Sequence, residues 1–204
     1  PRLTPFVKLA EQLGSFAGQL TETTVRAVRI EYAGDVADMN TRALTAAALA
    51  GLLAPSLEGA NMVSAPVLAK ERGIPVEEVR RGRGGAYGTY VRLSVRTDEM
   101  ERSIGGTVFS DGKPRIIQVK GINMEAELSP HMLYVTNQDK PGFIGQFGTL
   151  MGTEGVNIAT FNLGRDKPGG DAICLVAVDE PLSDAVLAKV KALPLVMRAH
   201  RLQF

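Results

Sequence analysis

Apolar residues recur at helical spacing through the first twenty positions, where Phe6, Leu9, Ala10, Leu13, Phe16, Ala17 and Leu20 share one stripe. This predicts a helix with Thr4 as N-cap and Pro5 at its first position. Its polar face carries no chemistry, so packing is its expected role. Between Thr24 and Tyr32 the period changes to two, with Val28, Ile30 and Tyr32 alternating against Arg29 and Glu31, the pattern of a half-buried strand. Asp35 is placed to cap an Ala/Leu-rich helix running through Leu44, Ala48 and Leu52 and closing near Pro55. A shorter helix is expected from about Ala65 to Arg72, ended by Gly73 and Pro75.

From Val76 to Met124 the period is again two, clearest where Val91, Leu93 and Val95 alternate with Arg92, Ser94 and Arg96. Asp111-Gly112, between Gly106–Ser110 and Pro114–Lys120, is the strongest hairpin signal in the chain. After Pro130 the order of patterns becomes strand (Met132–Asn137), helix (Pro141–Gly152), strand (Val156–Gly164), strand (Ala172–Val178), helix (Ser183–Ala192, capped by Ser183) and strand (Val196–Leu202). This βαββαβ order is that of the ferredoxin-like split motif. The expected organisation is therefore α+β throughout: a connecting helix over 1–20, a unit with an antiparallel sheet over 21–130, and a ferredoxin-like unit over 131–204.

Composition narrows the function classes. The 204 residues are 45% hydrophobic and 22% charged, with a net charge of +1, an ordinary globular balance. That charge gives no electrostatic case for nucleic acid or acidic membranes. A βαββαβ unit that binds RNA stacks bases on central-strand aromatics, and Ala172–Val178 has none. No apolar run approaches the roughly 20 residues that span a bilayer. A single cysteine rules out an internal disulfide, and a reduced cytoplasmic setting is expected. The start at Pro1-Arg2-Leu3, without Met, is read as processing or as a piece of a longer protein, engineered or proteolytic.

Catalytic patterns are weak. Arg81-Gly82-Arg83-Gly84-Gly85-Ala86-Tyr87-Gly88 is glycine-rich, but a dinucleotide loop opens a helix and these glycines run into a strand at Tyr90–Val95. A flexible turn is the better reading, and Arg81 and Arg83 remain candidates for a small-anion patch. His131 and His200 lie far apart and no cluster of metal ligands accompanies them. Cys174, between Ile173 and Leu175, is expected to be a small buried hydrophobe.

The informative stretch is Asn137-Gln138-Asp139-Lys140-Pro141-Gly142. Pro141 at the first helical position, with Gly142 beside it, leaves a helix N-terminus open to a carboxylate. Asp139 is placed to pair with an ammonium, and Asn157, after Gly155, offers a directed amide. Donors together with an anion suit a zwitterionic amino acid. Capping and turn formation explain Asp139 and Asn157 equally well on spacing alone, and both readings stand.

These residues carry a resemblance. His131-Met132-Leu133, Asp139–Gly145 and Gly155-Val156-Asn157-Ile158-Ala159 resemble the C-terminal ACT domain of bacterial D-3-phosphoglycerate dehydrogenase. Asn61–Pro66, Ala69–Gly73 and Gly105–Phe109 resemble the intervening, allosteric substrate-binding domain of its long form, and Pro5-Phe6 with Leu9–Gly14 the helix leaving its nucleotide-binding domain. The resemblance covers essentially the whole chain. It implies an enzyme that oxidises 3-phosphoglycerate with NAD in the first step of L-serine synthesis, with catalytic and nucleotide-binding domains N-terminal to these residues. For this chain it implies regulation and oligomerisation without a catalytic constellation, as a homodimer or homotetramer. In the family L-serine binds between ACT domains, and the matching positions are Asn137, Asp139 and Asn157, with Lys140, Pro141 and Gly142 completing the loop. Asn137 departs from the aromatic or His found there in some relatives. Arg115 matches a phosphate-binding position of the intervening domain, whereas Glu127 stands where a relative has a basic residue. A free-standing amino-acid sensor and a ligand-free oligomerisation module are the alternatives.

Overall fold

A computed structural model describes all residues, 1–204, as two compact units, Pro1–Lys120 and Gly121–Phe204. In the first, helix α1 (Leu3–Leu20) packs along α2 (Thr41–Leu53), and strands β1 (Val25–Ala33), β2 (Val76–Arg81), β3 (Tyr90–Thr97), β4 (Glu101–Val108) and β5 (Pro114–Val119) take the order β2-β1-β3-β4-β5. Leu9, Leu13 and Phe16 of α1 are fully buried, as the apolar stripe requires.

The helix pair is held close by absent side chains. A Cβ on Gly14 would stand 2.0 Å from the Ala48 carbonyl oxygen, and one on Gly51 would stand 2.2 Å from that of Glu11. These glycines let the two backbones touch, at the entropic cost glycine carries in a helix.

Three local expectations change. Helix α1 begins at Leu3, so Pro5 sits within its first turn, where an N–H has no helical partner to lose. Asp35 lies in a 3₁₀ turn, Gly34–Asp38, and Asn40 caps α2, its side chain accepting from Ala43 N at 3.2 Å. Strand β2 pairs parallel to β1, Val28 opposite Val76 through Ala33 opposite Arg81, so the sheet is mixed where an antiparallel one was expected. The reason is the connection: α2 and α3 (Ala65–Glu71) form a helical crossover, which returns the chain in its original direction. The Asp111-Gly112 signal does mark a β4–β5 reversal, with Gly112 at φ +78° and Phe109 N bonded to Lys113 O.

The second unit is the ferredoxin-like arrangement. Strands β7 (His131–Gln138), β8 (Ile158–Arg165), β9 (Asp171–Val178) and β10 (Val196–Gln203) form an antiparallel sheet ordered β10-β7-β9-β8. Helices α4 (Phe143–Thr153) and α5 (Asp184–Lys191) bury Phe143, Phe147, Met151, Val186 and Val190 against Leu133, Val135, Cys174 and Val176. Ser183 caps α5 through Val186 N, as expected. The preceding strand β6 (Ile122–Ala126) passes so close to β8 that a Cβ on Gly164 would meet Asn123 O at 2.7 Å.

Adding a methyl at the helix contact should therefore be costly and adding one in open space should not. Gly14→Ala is expected to destabilise the chain by about 1–3 kcal/mol through overpacking. Gly148→Ala, on the exposed face of α4 where a Cβ meets nothing within 4 Å, should stabilise it by about 0.5–1 kcal/mol. Urea denaturation of both variants measures the contrast, and equal midpoints would contradict it.

Candidate functional site

The β7–α4 turn is built from its backbone outward. Gln138 N bonds to Leu195 O at 2.9 Å and Asp139 N to Gly170 O at 3.0 Å, so neighbouring loops hold the end of β7. Gly142 has φ +99°, which an L side chain resists. It is the N-cap of α4, and no side chain caps the first turn. Pro141 is therefore not the first helical residue: the left-handed Gly142 separates it from Phe143. The helix N-terminus remains an open set of donors with a favourable dipole.

Asp139 is anchored. Its Oδ2 accepts from Arg165 Nη1 at 2.9 Å and from Gly169 N at 3.3 Å. The Arg165 bond chiefly holds its carboxyl below the usual range, helped by Gly169 N–H and opposed by partial desolvation. Sequence reasoning missed Arg165, which stands 26 positions away and carries no motif. Only the ladder reveals it: Asn137 and Arg165 both lie opposite Ala172, on either side of β9.

Asn137 is 1% exposed. Its Nδ2 donates to Gln138 O at 3.0 Å, and its Oδ1 accepts from Cys174 Sγ at 3.6 Å. The amide thus ties the turn to the core. Burial pushes the Cys174 thiol up to about 12, which suppresses the thiolate that would react.

Asn137, Asp139, Lys140, Pro141 and Gly142 thus gather at one end of the sheet. Asn157 lies at the other, just before β8, where its Nδ2 donates to Asp179 Oδ2 at 2.7 Å. A cleft of about 320 Å³ opens there, lined by Asn157, Asp179, Glu180 and Ser183. Within one protomer the predicted ligand groups form two clusters.

The candidate anion-binding arginines lie in the first unit, each beside a carboxylate. Arg81 pairs with the buried Glu31, which also holds Arg92 at 3.1 Å. Arg83 reaches Asp35 at 2.9 Å. Arg115 reaches Asp111 at 2.8 Å and lies over the Phe109 ring, 4.9 Å from its centroid. The glycine-rich stretch joins β2 to β3 and opens no helix. No group of three or more His, Cys, Asp or Glu side chains is placed to hold a metal ion, and no helix is long and apolar enough to cross a membrane.

Comparison with known families gives this geometry its context. Residues 2–120 match the D-3-phosphoglycerate dehydrogenase intervening domain, and residues 131–195 match the ACT domain. The chain belongs to the D-3-phosphoglycerate dehydrogenase family. It is 36% identical over 191 residues to a D-3-phosphoglycerate dehydrogenase of Synechocystis, covering 93% of this chain and 34% of the relative. The corresponding protein of Methanocaldococcus jannaschii is 33% identical over 95% of this chain and 37% of its own length. That of Archaeoglobus fulgidus is 35% identical over 94% of this chain and 37% of its own. The chain thus spans little more than a third of these relatives, the part that carries the intervening and ACT domains.

The anchored carboxylate should shape acid stability. A carboxyl whose folded-state pKa is depressed contributes stability above its unfolded value, about 4, and that contribution is lost as pH falls through the folded value. Asp139→Asn is therefore expected to be less stable than the parent near neutral pH and to converge with it in strong acid. Urea midpoints across the range measure this, and a constant gap would contradict it. Cys174 should resist alkylation at about pH 8 until the chain unfolds, as mass spectrometry would register.

Proposed function

We propose that this chain is the regulatory region of an enzyme that oxidises 3-phosphoglycerate with NAD, and that two ACT units together bind L-serine. The carrying observation is the separation of Asp139 and Gly142 from Asn157 along β8, one of the two edge strands of its sheet. A second copy laid antiparallel along that edge brings its Asn157 to the Asp139 end of the first, and the reverse. It also covers an edge that would otherwise present unpaired backbone groups.

In this reading each ligand takes its groups from both copies. The uncapped α4 N-terminus receives the serine carboxylate through backbone N–H groups. Arg165 and Gly169 both bond Asp139 Oδ2, which leaves Oδ1 for the ammonium. The amide of Asn157 from the other copy accepts from or donates to the hydroxyl, once it shares its bond to Asp179. Asn137 acts from beneath, holding the turn through Gln138 and Cys174. Ligand then favours one arrangement of the copies, and control of a catalytic domain needs a differential affinity of only about 1–3 kcal/mol.

Calorimetric titration with L-serine, using D-serine and glycine as controls, tests the reading. Saturable binding selective for L-serine is expected, and Asp139→Ala should abolish it while the variant still unfolds cooperatively as a folded domain. Absence of binding in a folded, dimeric sample would overturn the serine assignment and leave oligomerisation as the role.

A further inference from the structure

Strand β2 ends the sheet of the first unit, bonded to β1 on one side and to no strand on the other. Charges commonly protect such an edge. Here they have an order: Glu77-Glu78-Val79-Arg80-Arg81 inverts its charge about Val79. Laid antiparallel beside a second copy with Val79 opposite Val79, the strand sets Glu77 against Arg81 and Glu78 against Arg80, each pair twice. Shifting the register by two residues puts Glu78 against Glu78 in one direction and Arg80 against Arg80 in the other. A shift of one turns the second copy's helices to the wrong face. One register is therefore selected.

The neighbouring structure extends this complementarity on both faces. Arg29 bonds Glu77 at 3.1 Å, so the row Arg29, Glu77 and Arg81 of the second copy alternates in sign. On the opposite face Glu78 is held by Thr45, and Arg80 donates to Thr41 at 2.8 Å, so helix α2 fixes both charges before any partner arrives. That face also opens a groove of about 750 Å³ between α2, α3 and β2, lined by Leu49, Met62, Pro66, Ile74, Val76 and Glu78. Beside it, Val63 and Val67 are 86% and 56% exposed, apolar surface that a second copy of the same edge would help to cover.

We propose that β2 is a self-complementary interface through which two copies of this chain pair antiparallel about a two-fold axis at Val79. It is separate from the β8 edge and does not depend on serine binding.

Disulfide trapping in the full chain tests the register. Opposed antiparallel residues have Cα atoms about 4.5–5.5 Å apart, within disulfide reach. Val79→Cys should therefore link two chains under mild oxidation with copper–phenanthroline. Glu77→Cys, whose two copies lie about 13 Å apart in this register, should not. The buried Cys174 supplies no competing thiol. Sedimentation of charge variants gives a second readout: Glu77→Gln and Glu77→Lys, at an exposed position, should weaken association in that order, the second about tenfold. Failure of Val79→Cys to link, equal linking at both positions, or single variants that associate as the parent does would overturn the proposal. Pairing through β8 alone would leave the charge variants unchanged and so count against it.

Discussion

The antiparallel ladder β8-β9-β7 fixes where every candidate ligand group of the ACT unit stands. It sets Asn137 and Arg165 opposite the same Ala172, which brings a guanidinium to Asp139 although the two are far apart in sequence. The same ladder sends Asn157 to the far end, past the pairing of Ile158 with Val178. Strand β8 has eight residues, about 25 Å of extended chain, several times the length of a small amino acid. No single small ligand touches both clusters of one protomer. The shared site proposed above would need two copies, and β8, unlike the other edge strand β10, runs between the two clusters.

Electrostatics in both units is pairwise and local. Arg81, Arg83 and Arg115 each have a carboxylate partner, so an anion would have to compete with Glu31, Asp35 or Asp111 rather than fill an empty guanidinium. Exposed pairs such as Arg83–Asp35 are weak, about 0–1 kcal/mol, and yield readily. Glu31 is different. It is 7% exposed and also accepts from Arg92 and from the Tyr90 hydroxyl at 3.1 Å, so withdrawing Arg81 leaves a buried charge less well compensated.

Sequence periodicity carried the strands, the α1 stripe and the βαββαβ order because each depends on local patterns of burial. It failed where distant segments decide. The direction of β2 follows from the helical crossover, and nothing within Val76–Arg81 distinguishes parallel from antiparallel pairing. Asp35 and Asn40 are both good caps, and the 3₁₀ turn after β1 decides between them by delaying α2. Pro141 is a good first helical residue until Gly142 adopts a left-handed conformation. Asn137 reads as a ligand group on its position, yet the ladder turns its amide inward to Cys174. The resemblance to the dehydrogenase family supplied what periodicity lacked, the identity of both units.

A site divided between copies, as proposed, would make ligand and assembly thermodynamically inseparable. A ligand held only by the paired form stabilises that form by RT ln(1 + [L]/Kd), about 2.7 kcal/mol at a hundredfold excess over Kd. This lies within the range of allosteric coupling energies, so in the proposed reading the ligand would need to reshape neither copy. The packing argues in the same direction. Phe143, Phe147 and Met151 anchor α4 against Cys174 and Val176, and close-packed cores resist continuous deformation. The parts left to adjust are the exposed turn at Lys140–Gly142 and the proposed contact between copies. If the proposed site is correct, regulation would act as movement of one rigid copy against the other, with the Asp139–Arg165 pair as its fixed reference.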